Sequence, residues 1–340
     1  MVRNRSGIHS DDHAGFDRPR RRTRPRTKDR PDYSDAEVAT VITVDRGRYR
    51  LRLGDRMVSA TKARALGRAA VIVGDRVRVV GDTSGEEGTL ARVVEVVERR
   101  TVLRRTADDD DPFERPVVAN ADQLAIITAL ADPPPRTGMV DRILVAGYDA
   151  GLDPLLVLTK ADLAPADELL AAYQPLDVPV LTTQPGSDLG ELRERLHGRT
   201  TVFVGHSGVG KSTLVNALIP GLDRAVGEVN AATGRGRHTS TSAVALPLPH
   251  LDGSAGEAGW VIDTPGVRSF GLSHVTPARI VAAFPDLAES TEECPRGCRH
   301  DSTAVDCGLD LAVTRGRLAP ARLQSFRRIL DARLSAEAHP

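Results

Sequence analysis

Gly205-His206-Ser207-Gly208-Val209-Gly210-Lys211-Ser212 sets the architecture of this chain. Before it runs Thr201-Val202-Phe203-Val204, β-branched and aromatic, and after it Leu214, Val215, Ala217 and Leu218 recur at helical spacing. Strand, glycine-rich loop and helix in that order let backbone N–H groups close around phosphate oxygens at the positive end of the helix. Lys211 is expected at the β- and γ-phosphates and the Ser212 hydroxyl on Mg²⁺, with His206, Ser207, Val209 and Thr213 in the same cradle. The bland alternative, a glycine-rich turn, would have to reproduce the full Gly-x-x-x-x-Gly-Lys-Ser pattern in this setting by chance.

Working outward, Trp260-Val261-Ile262 is an apolar strand ending in Asp263-Thr264-Pro265-Gly266. There an aspartate supports Mg²⁺ and the Gly266 N–H senses the γ-phosphate. Upstream, Leu155-Leu156-Val157-Leu158 reads as a buried parallel strand that ends in Thr159-Lys160-Ala161-Asp162. The Asp162 carboxylate can accept both guanine N1–H and the exocyclic amino group, which adenine cannot match, while Lys160 lies along the base plane. Alone, Lys-x-Asp could equally open a solvated helix. Thr182-Thr183, after Val178-Pro179-Val180-Leu181, is a candidate for the last base-contacting turn. The usual phosphate-loop GTPase runs loop, switch, base reader; here the reader precedes the loop, so the core is opened at a different point.

Gly234-Arg235-Gly236-Arg237-His238-Thr239-Ser240-Thr241 is polar and glycine-rich, with little to pack. It suits a mobile switch in which Thr239, Ser240 or Thr241 completes the Mg²⁺ shell when γ-phosphate is present. An ordinary basic loop is the alternative. Val267 stands where a Ras-like GTPase has its water-positioning glutamine, so water must be oriented otherwise; His238 is the candidate, with Lys211 the other catalytic group, and a plain surface histidine is the alternative.

With these residues in place the chain resembles the ribosome small-subunit-dependent GTPase A (RsgA) family of circularly permuted bacterial GTPases. The likeness spans residues 36 to 335, carried by Asn120-Ala121-Asp122-Gln123, Thr159 to Asp162, Gly205 to Ser212, Gly236 to Thr241, Asp263 to Gly266 and the Cys/His cluster below. It implies an OB-fold barrel before the GTPase core, a small (30S) ribosomal subunit partner late in its maturation, contact with its rRNA, and hydrolysis stimulated by that contact. Two positions depart from the family pattern. Ser240 replaces a threonine of the usual His-Thr-Thr-Thr, and Thr159 replaces a common asparagine, so the hydrogen bonds bracing the base pocket are expected to differ.

All three cysteines of the chain fall in Cys294-Pro295-Arg296-Gly297-Cys298-Arg299-His300 and Cys307. Three thiolates and one imidazole make a closed tetrahedral Zn²⁺ shell, structural because no position is left for water. An odd number in a Pro/Gly/Arg loop argues against a disulfide framework; reduced bystander thiols are the alternative. The resembling family carries zinc here with slightly different inner spacings.

At 340 residues the chain has room for two or three domains, and no apolar stretch reaches the roughly 20 residues needed to cross a bilayer. A signal-peptide core is absent, which points to the cytoplasm and no membrane partner. Formal charge sums to zero, so nucleic-acid binding must come from local patches. Residues 1–35 read as a disordered arm, basic from Arg18 to Arg30, that touches RNA phosphates or merely solubilises.

Residues 36–104 carry short β-rich runs at Val38 to Val44, Tyr49 to Leu53, Met57 to Thr61, Ala70 to Val73, Arg76 to Val80 and Leu90 to Val97. A small barrel is the natural reading, with Tyr49, Leu51 and Leu53 inward and Arg48, Arg50 and Arg52 outward. Few aromatic residues favour phosphate and shape recognition over base stacking. An aspartate-rich linker, Ala107 to Pro112, leads on, and residues 105–273 form the GTPase domain. Residues 274–340 form a helical zinc-binding domain, with helices near Thr276 to Ser290 and from Pro320 to Leu334. The arginines of the last helix either hold RNA or brace the core.

The expected whole is a monomeric, multidomain α/β GTP hydrolase using GTP with Mg²⁺ and one Zn²⁺. A GTP-dependent RNA-binding scaffold with little useful turnover is the alternative. A metabolic kinase on the same loop fits poorly with Asp162 and the flanking domains.

Overall fold

A computed structural model describes residues 32–67, 70–106, 113–222, 243–250, 254, 256–266, 270–272 and 274–334. Outside them lie most of the basic arm, the Ala107 to Pro112 linker, the whole switch expectation with His238, Thr239, Ser240 and Thr241, and Val267. Two compact units divide the chain, Met1–Asp35 and Ala36–Pro340. In the first, the described residues make a turn in which the Ser34 N–H donates to the Asp32 carboxylate. The second holds every described strand and helix.

Five strands form the barrel: β1 (Glu37–Asp45), β2 (Arg48–Leu53), β3 (Arg56–Lys62), β4 (Arg76–Gly81) and β5 (Ala91–Val96). Their order is β1-β2-β3-β5-β4, and β4 pairs back onto β1, so the sheet closes. The β3–β5 pair is parallel and the others are antiparallel. This is the five-stranded OB arrangement, closed so that it leaves no open edge. Alternation in β2 does what the sequence requires, burying Tyr49, Leu51 and Leu53 while its arginines face outward. The expected strand at Ala70 to Val73 does not form. The buried Asp75 carboxylate accepts the Ile72 N–H and the Arg99 guanidinium, which bends this short apolar run into a turn, and only Val73 makes a ladder pair, with Val118.

A two-stranded ribbon, β6 (Val102–Arg105) and β7 (Arg115–Ala119), precedes the core sheet. That sheet comprises β8 (Gln123–Ala129), β9 (Asp153–Thr159), β10 (Val180–Thr182), β11 (Thr200–Gly205), β12 (Val244–Pro249) and β13 (Glu257–Asp263). Its order is β10-β9-β8-β11-β13-β12, parallel except for β12. Strand β8 is buried along its whole length and β9 through its last five residues, as strands covered on both faces must be. Alternate residues enter opposite cores. Val202 and Val204 pack with helix α1 (Thr137–Asp149), whereas Phe203 packs with α3 (Gly190–Leu196) and α4 (Lys211–Leu218). Helix α2 (Asp167–Tyr173) follows β9. One antiparallel pairing, Thr43 with Val244, stitches β1 of the barrel to β12, so barrel and core share a continuous sheet.

The expected helix Thr276 to Ser290 is two helices, α5 (Pro277–Ala282) and α6 (Pro285–Ser290). Pro285 has no N–H to continue the first and starts the second instead. Helices α7 (Gly308–Thr314) and α8 (Pro320–Leu334) are the last of the described elements.

Three arginines of α8, Arg322, Arg327 and Arg328, brace the core. Arg322 pairs with Asp286 and Asp177, Arg327 takes both oxygens of Asp310, and Arg328 bonds Asp141 while lying 4.8 Å over the Tyr173 ring. Asp141 is 1% exposed, and burial pushes its carboxyl above its ordinary value against the pull of Arg328 and Tyr173. Removing the cation would strand a buried acid. Arg328→Met is therefore expected to destabilise the fold by about 3–5 kcal/mol, read from denaturant unfolding, whereas a loss under 1 kcal/mol would mean the pair is only peripheral.

Candidate functional site

The four segments expected to bind nucleotide that fall within the described residues gather at the carboxyl ends of parallel strands, where open α/β sheets bind ligands. Gly205 ends β11, Asp263 ends β13, Thr159 ends β9 and Thr182 ends β10. Permutation changes the order along the chain and leaves this placement intact.

The loop from Gly205 delivers α4, whose first residue is Lys211. Gly210 caps that helix at φ 85°, a left-handed conformation costly for any residue with a Cβ. Gly266 presses against the loop so closely that a Cβ there would lie 3.3 Å from Ser207 N. The Asp263 to Gly266 segment therefore already touches the loop. Lys211 is buried, and its ammonium donates to Asp263 and to the Thr264 carbonyl. Thr264 is fixed in turn by its hydroxyl, which donates to Phe203 O at 2.7 Å. The two groups expected at phosphate and Mg²⁺, Lys211 and Asp263, thus pair with each other. Ser212 and Thr213 follow on the exposed side of the helix.

Beside the loop lies a cavity of about 200 Å³. Its walls are Thr159 and Lys160 after β9, Thr183 after β10, the Gln184 to Leu189 loop, and Gly210, Thr213 and Leu214. A flat base with its ribose next to the phosphate loop fits this position. Thr159 answers the question its departure from the family pattern raised: its buried hydroxyl lies within reach of the Val209 and Thr128 carbonyls and donates to Val209 at the closer range. It braces the phosphate loop directly against β9. Lys160 adopts φ 58° and its ammonium donates to the Asp132 carbonyl, which lays the side chain across the cavity's edge.

Of the two threonines expected at the last turn, the buried Thr183 lines the cavity; Thr182 is exposed in β10 and does not. Asp162 is exposed just beyond Lys160 and is not among the lining residues. Sequence reading missed Asp132 and the Gln184 to Ser187 turn, closed by the Ser187 hydroxyl donating to Gln184 O at 2.9 Å. The Gln184-Pro185-Gly186-Ser187 composition suits a turn, but nothing local says that it lines this cavity.

Cys294, Cys298, His300 and Cys307 converge, their ligand atoms within 4.8 Å of one another. Two sulfurs about 2.3 Å from one tetrahedral ion stand about 3.8 Å apart. Here Cys294 and Cys307 sulfurs are 3.9 Å apart, and His300 Nδ1 lies 3.5 Å and 3.8 Å from them. Burial, with the neighbouring thiols adding to it, pushes the Cys307 thiol up to about 11, and burial lowers His300 towards its neutral form. A neutral imidazole and three converging sulfurs are a donor set that a divalent cation would complete. The Gly308 N–H already donates to Cys294 Sγ at 3.1 Å. The set fits zinc, and it sits among α6, α7 and the loop between them.

Comparison with known proteins agrees with this geometry. The family profile of the RsgA GTPase matches residues 96–273. The small ribosomal subunit biogenesis GTPase RsgA of Azotobacter vinelandii is 41% identical over 270 residues, covering 77% of this chain and 74% of its own. Its counterpart in Pseudomonas aeruginosa is 39% identical over 270 residues, covering 77% and 75%. Among solved structures, YjeQ from Thermotoga maritima superposes with a TM-score of 0.64 at 24% identity, covering 88% of this chain and 98% of that one. YloQ, described as a circularly permuted GTPase, gives 0.62 at 22% identity, covering 92% and 99%. At such identity these two speak for the fold alone.

Proposed function

The chain belongs to the RsgA family of GTPases, and on that premise we propose that it hydrolyses GTP to GDP and phosphate while bound to the small (30S) ribosomal subunit, assisting that subunit's late maturation. The observation that carries the reading is the meeting of Lys211, Asp263, Gly266 and the Thr159–Thr183 cavity at one edge of the sheet.

In this reading Gly205, His206, Ser207, Gly208, Val209 and Gly210 wrap the phosphates, and Lys211 turns from Asp263 to neutralise charge developing on the γ-phosphoryl oxygens. Ser212 and Asp263 hold Mg²⁺, joined by a hydroxyl from Thr239, Ser240 or Thr241. When bound, the ion would supply positive charge to the phosphates. Lys160, Asp162 and Thr183 read guanine, with Thr159 holding that pocket against the loop. His238 orients the attacking water, because Val267 offers no hydrogen bond. Barrel and helical domain engage rRNA and the subunit surface, the protein acts as a monomer, and its place of work is the cytoplasm. Among the described residues no helix is long and apolar enough to cross a membrane.

Zn²⁺ held by Cys294, Cys298, His300 and Cys307 would staple the loop between α6 and α7. Metal analysis is expected to find about one zinc per chain, and Cys298→Ser to lower the melting temperature while GTP affinity changes less than twofold. A metal-free preparation that melts like the loaded protein would remove the zinc assignment.

Val267 also favours a second reading, a GTP-dependent scaffold on RNA with little turnover. Co-sedimentation with small subunits tests the shared part: retention with a non-hydrolysable GTP analogue should exceed retention with GDP. Equal retention, or none, would count against nucleotide-controlled docking.

A further inference from the structure

On the side of the core where the barrel docks, at the opposite end of the strands from the phosphate loop, lies a polar cleft of about 370 Å³. The barrel contributes Thr40, Arg52 and Arg76, and the core contributes Arg100, Thr200 and Trp260. Thr200 opens β11, the strand whose far end is Gly205, so the cleft is separate from the nucleotide site.

Its groups are of two kinds. Arg52 is a fixed plane: its Nε donates to Gly54 O at 2.9 Å, its other end pairs with Glu257, and its face lies 5.3 Å from the Trp260 ring. A guanidinium held on three sides needs little further ordering to stack a planar ligand. Cations form the second kind. Arg100 pairs with Asp122 yet keeps two thirds of its side chain exposed, and Arg76 has no partner among the described residues. The acids nearest the cleft, Glu257 and Asp122, are already committed, so the cleft is net positive. The arginines come from β4 and from the segment after β5, which suits a phosphodiester backbone that enters and leaves rather than one phosphate group.

We propose that this cleft takes one splayed nucleotide of single-stranded RNA, its base laid on the Arg52–Trp260 shelf and its flanking phosphates on Arg76 and Arg100. The proposal rests on the small-subunit reading only for the natural source of that RNA. The Thr40 and Thr200 hydroxyls stand ready for a base edge or a ribose 2′-OH. Stacking, which the barrel's sequence alone disfavoured, becomes available because the docked core brings Trp260 to Arg52. Duplex RNA keeps its bases stacked and cannot present one.

Trp260 is the only tryptophan of the chain, so its fluorescence reports this cleft directly. The full-length protein, in nucleotide-free buffer, is titrated with a short single-stranded oligoribonucleotide, the same sequence as duplex, and uridine monophosphate. The single strand should quench Trp260 saturably and the other two weakly or not at all. Arg76→Ala should weaken single-strand binding about three- to tenfold and reduce the salt slope of log Kd by about 1. A silent Trp260, equal quenching by duplex or monophosphate, or an unaffected Arg76→Ala would each overturn the proposal. Small-subunit co-sedimentation run in parallel separates the two readings. Subunits that bind while Trp260 stays silent to the single strand defeat the cleft and leave the functional reading standing. Quenching without subunit binding does the reverse.

Discussion

Lys211→Ala is expected to lower kcat for GTP by about 10²–10³-fold while the protein stays folded. The ammonium lies at the first residue of α4, beside a loop shaped to bring phosphate oxygens to it. A positioned charge in a buried site acts most strongly where charge develops, in the transition state, so the loss falls on kcat more than on KM. The substitution also frees Asp263 from its partner. Asp263 is partly exposed and solvates readily, so unfolding midpoints should move little. Single-turnover hydrolysis beside a denaturant titration separates these effects. A folded Lys211→Ala protein within fivefold of wild-type turnover would place phosphate chemistry elsewhere.

Asp162→Asn is expected to shift the preference for GTP over xanthosine triphosphate by about 10²–10⁴-fold, from the loss of two charge-assisted hydrogen bonds worth roughly 1.5–3 kcal/mol each. A carboxylate accepts from guanine N1–H and from its amino group, whereas a carboxamide offers one acceptor and one donor. The donor suits the O2 of xanthine. Asp162 must turn towards the cavity to do this, since it is exposed beyond Lys160 and does not line the pocket. Competition binding of the two nucleotides measures it. Equal weakening of both would take Asp162 out of the base pocket and give the discrimination to the Thr183 turn.

Much of this arrangement was legible in the chain because it is written in local patterns. Apolar runs ending in Thr159, Gly205 and Asp263 are buried parallel strands by composition alone, and such strands place their carboxyl ends together whatever their chain order. Alternating Tyr49, Leu51 and Leu53 fixed which face of β2 enters the barrel. What stayed hidden depended on distant partners. Whether Arg322, Arg327 and Arg328 reach out to RNA or fold back is settled by Asp286, Asp310 and Asp141, and periodicity carries no record of those pairings. Ala70 to Val73 looked like a strand because its residues favour one; the Asp75 carboxylate, held by Arg99, captured the backbone instead. Lys160 bonding Asp132, and Thr159 bonding Val209, likewise join residues separated by whole elements.

GTP hydrolysis measured under multiple turnover, by the protein alone, with purified small subunits and with purified large subunits, tests the central claim most directly. Turnover alone should be slow, because Val267 leaves the attacking water without a fixed partner. Small subunits should raise it at least tenfold, as an ordered switch supplies that partner, and large subunits should leave it near the basal rate. Equal stimulation by both subunits, or by neither, would contradict the account.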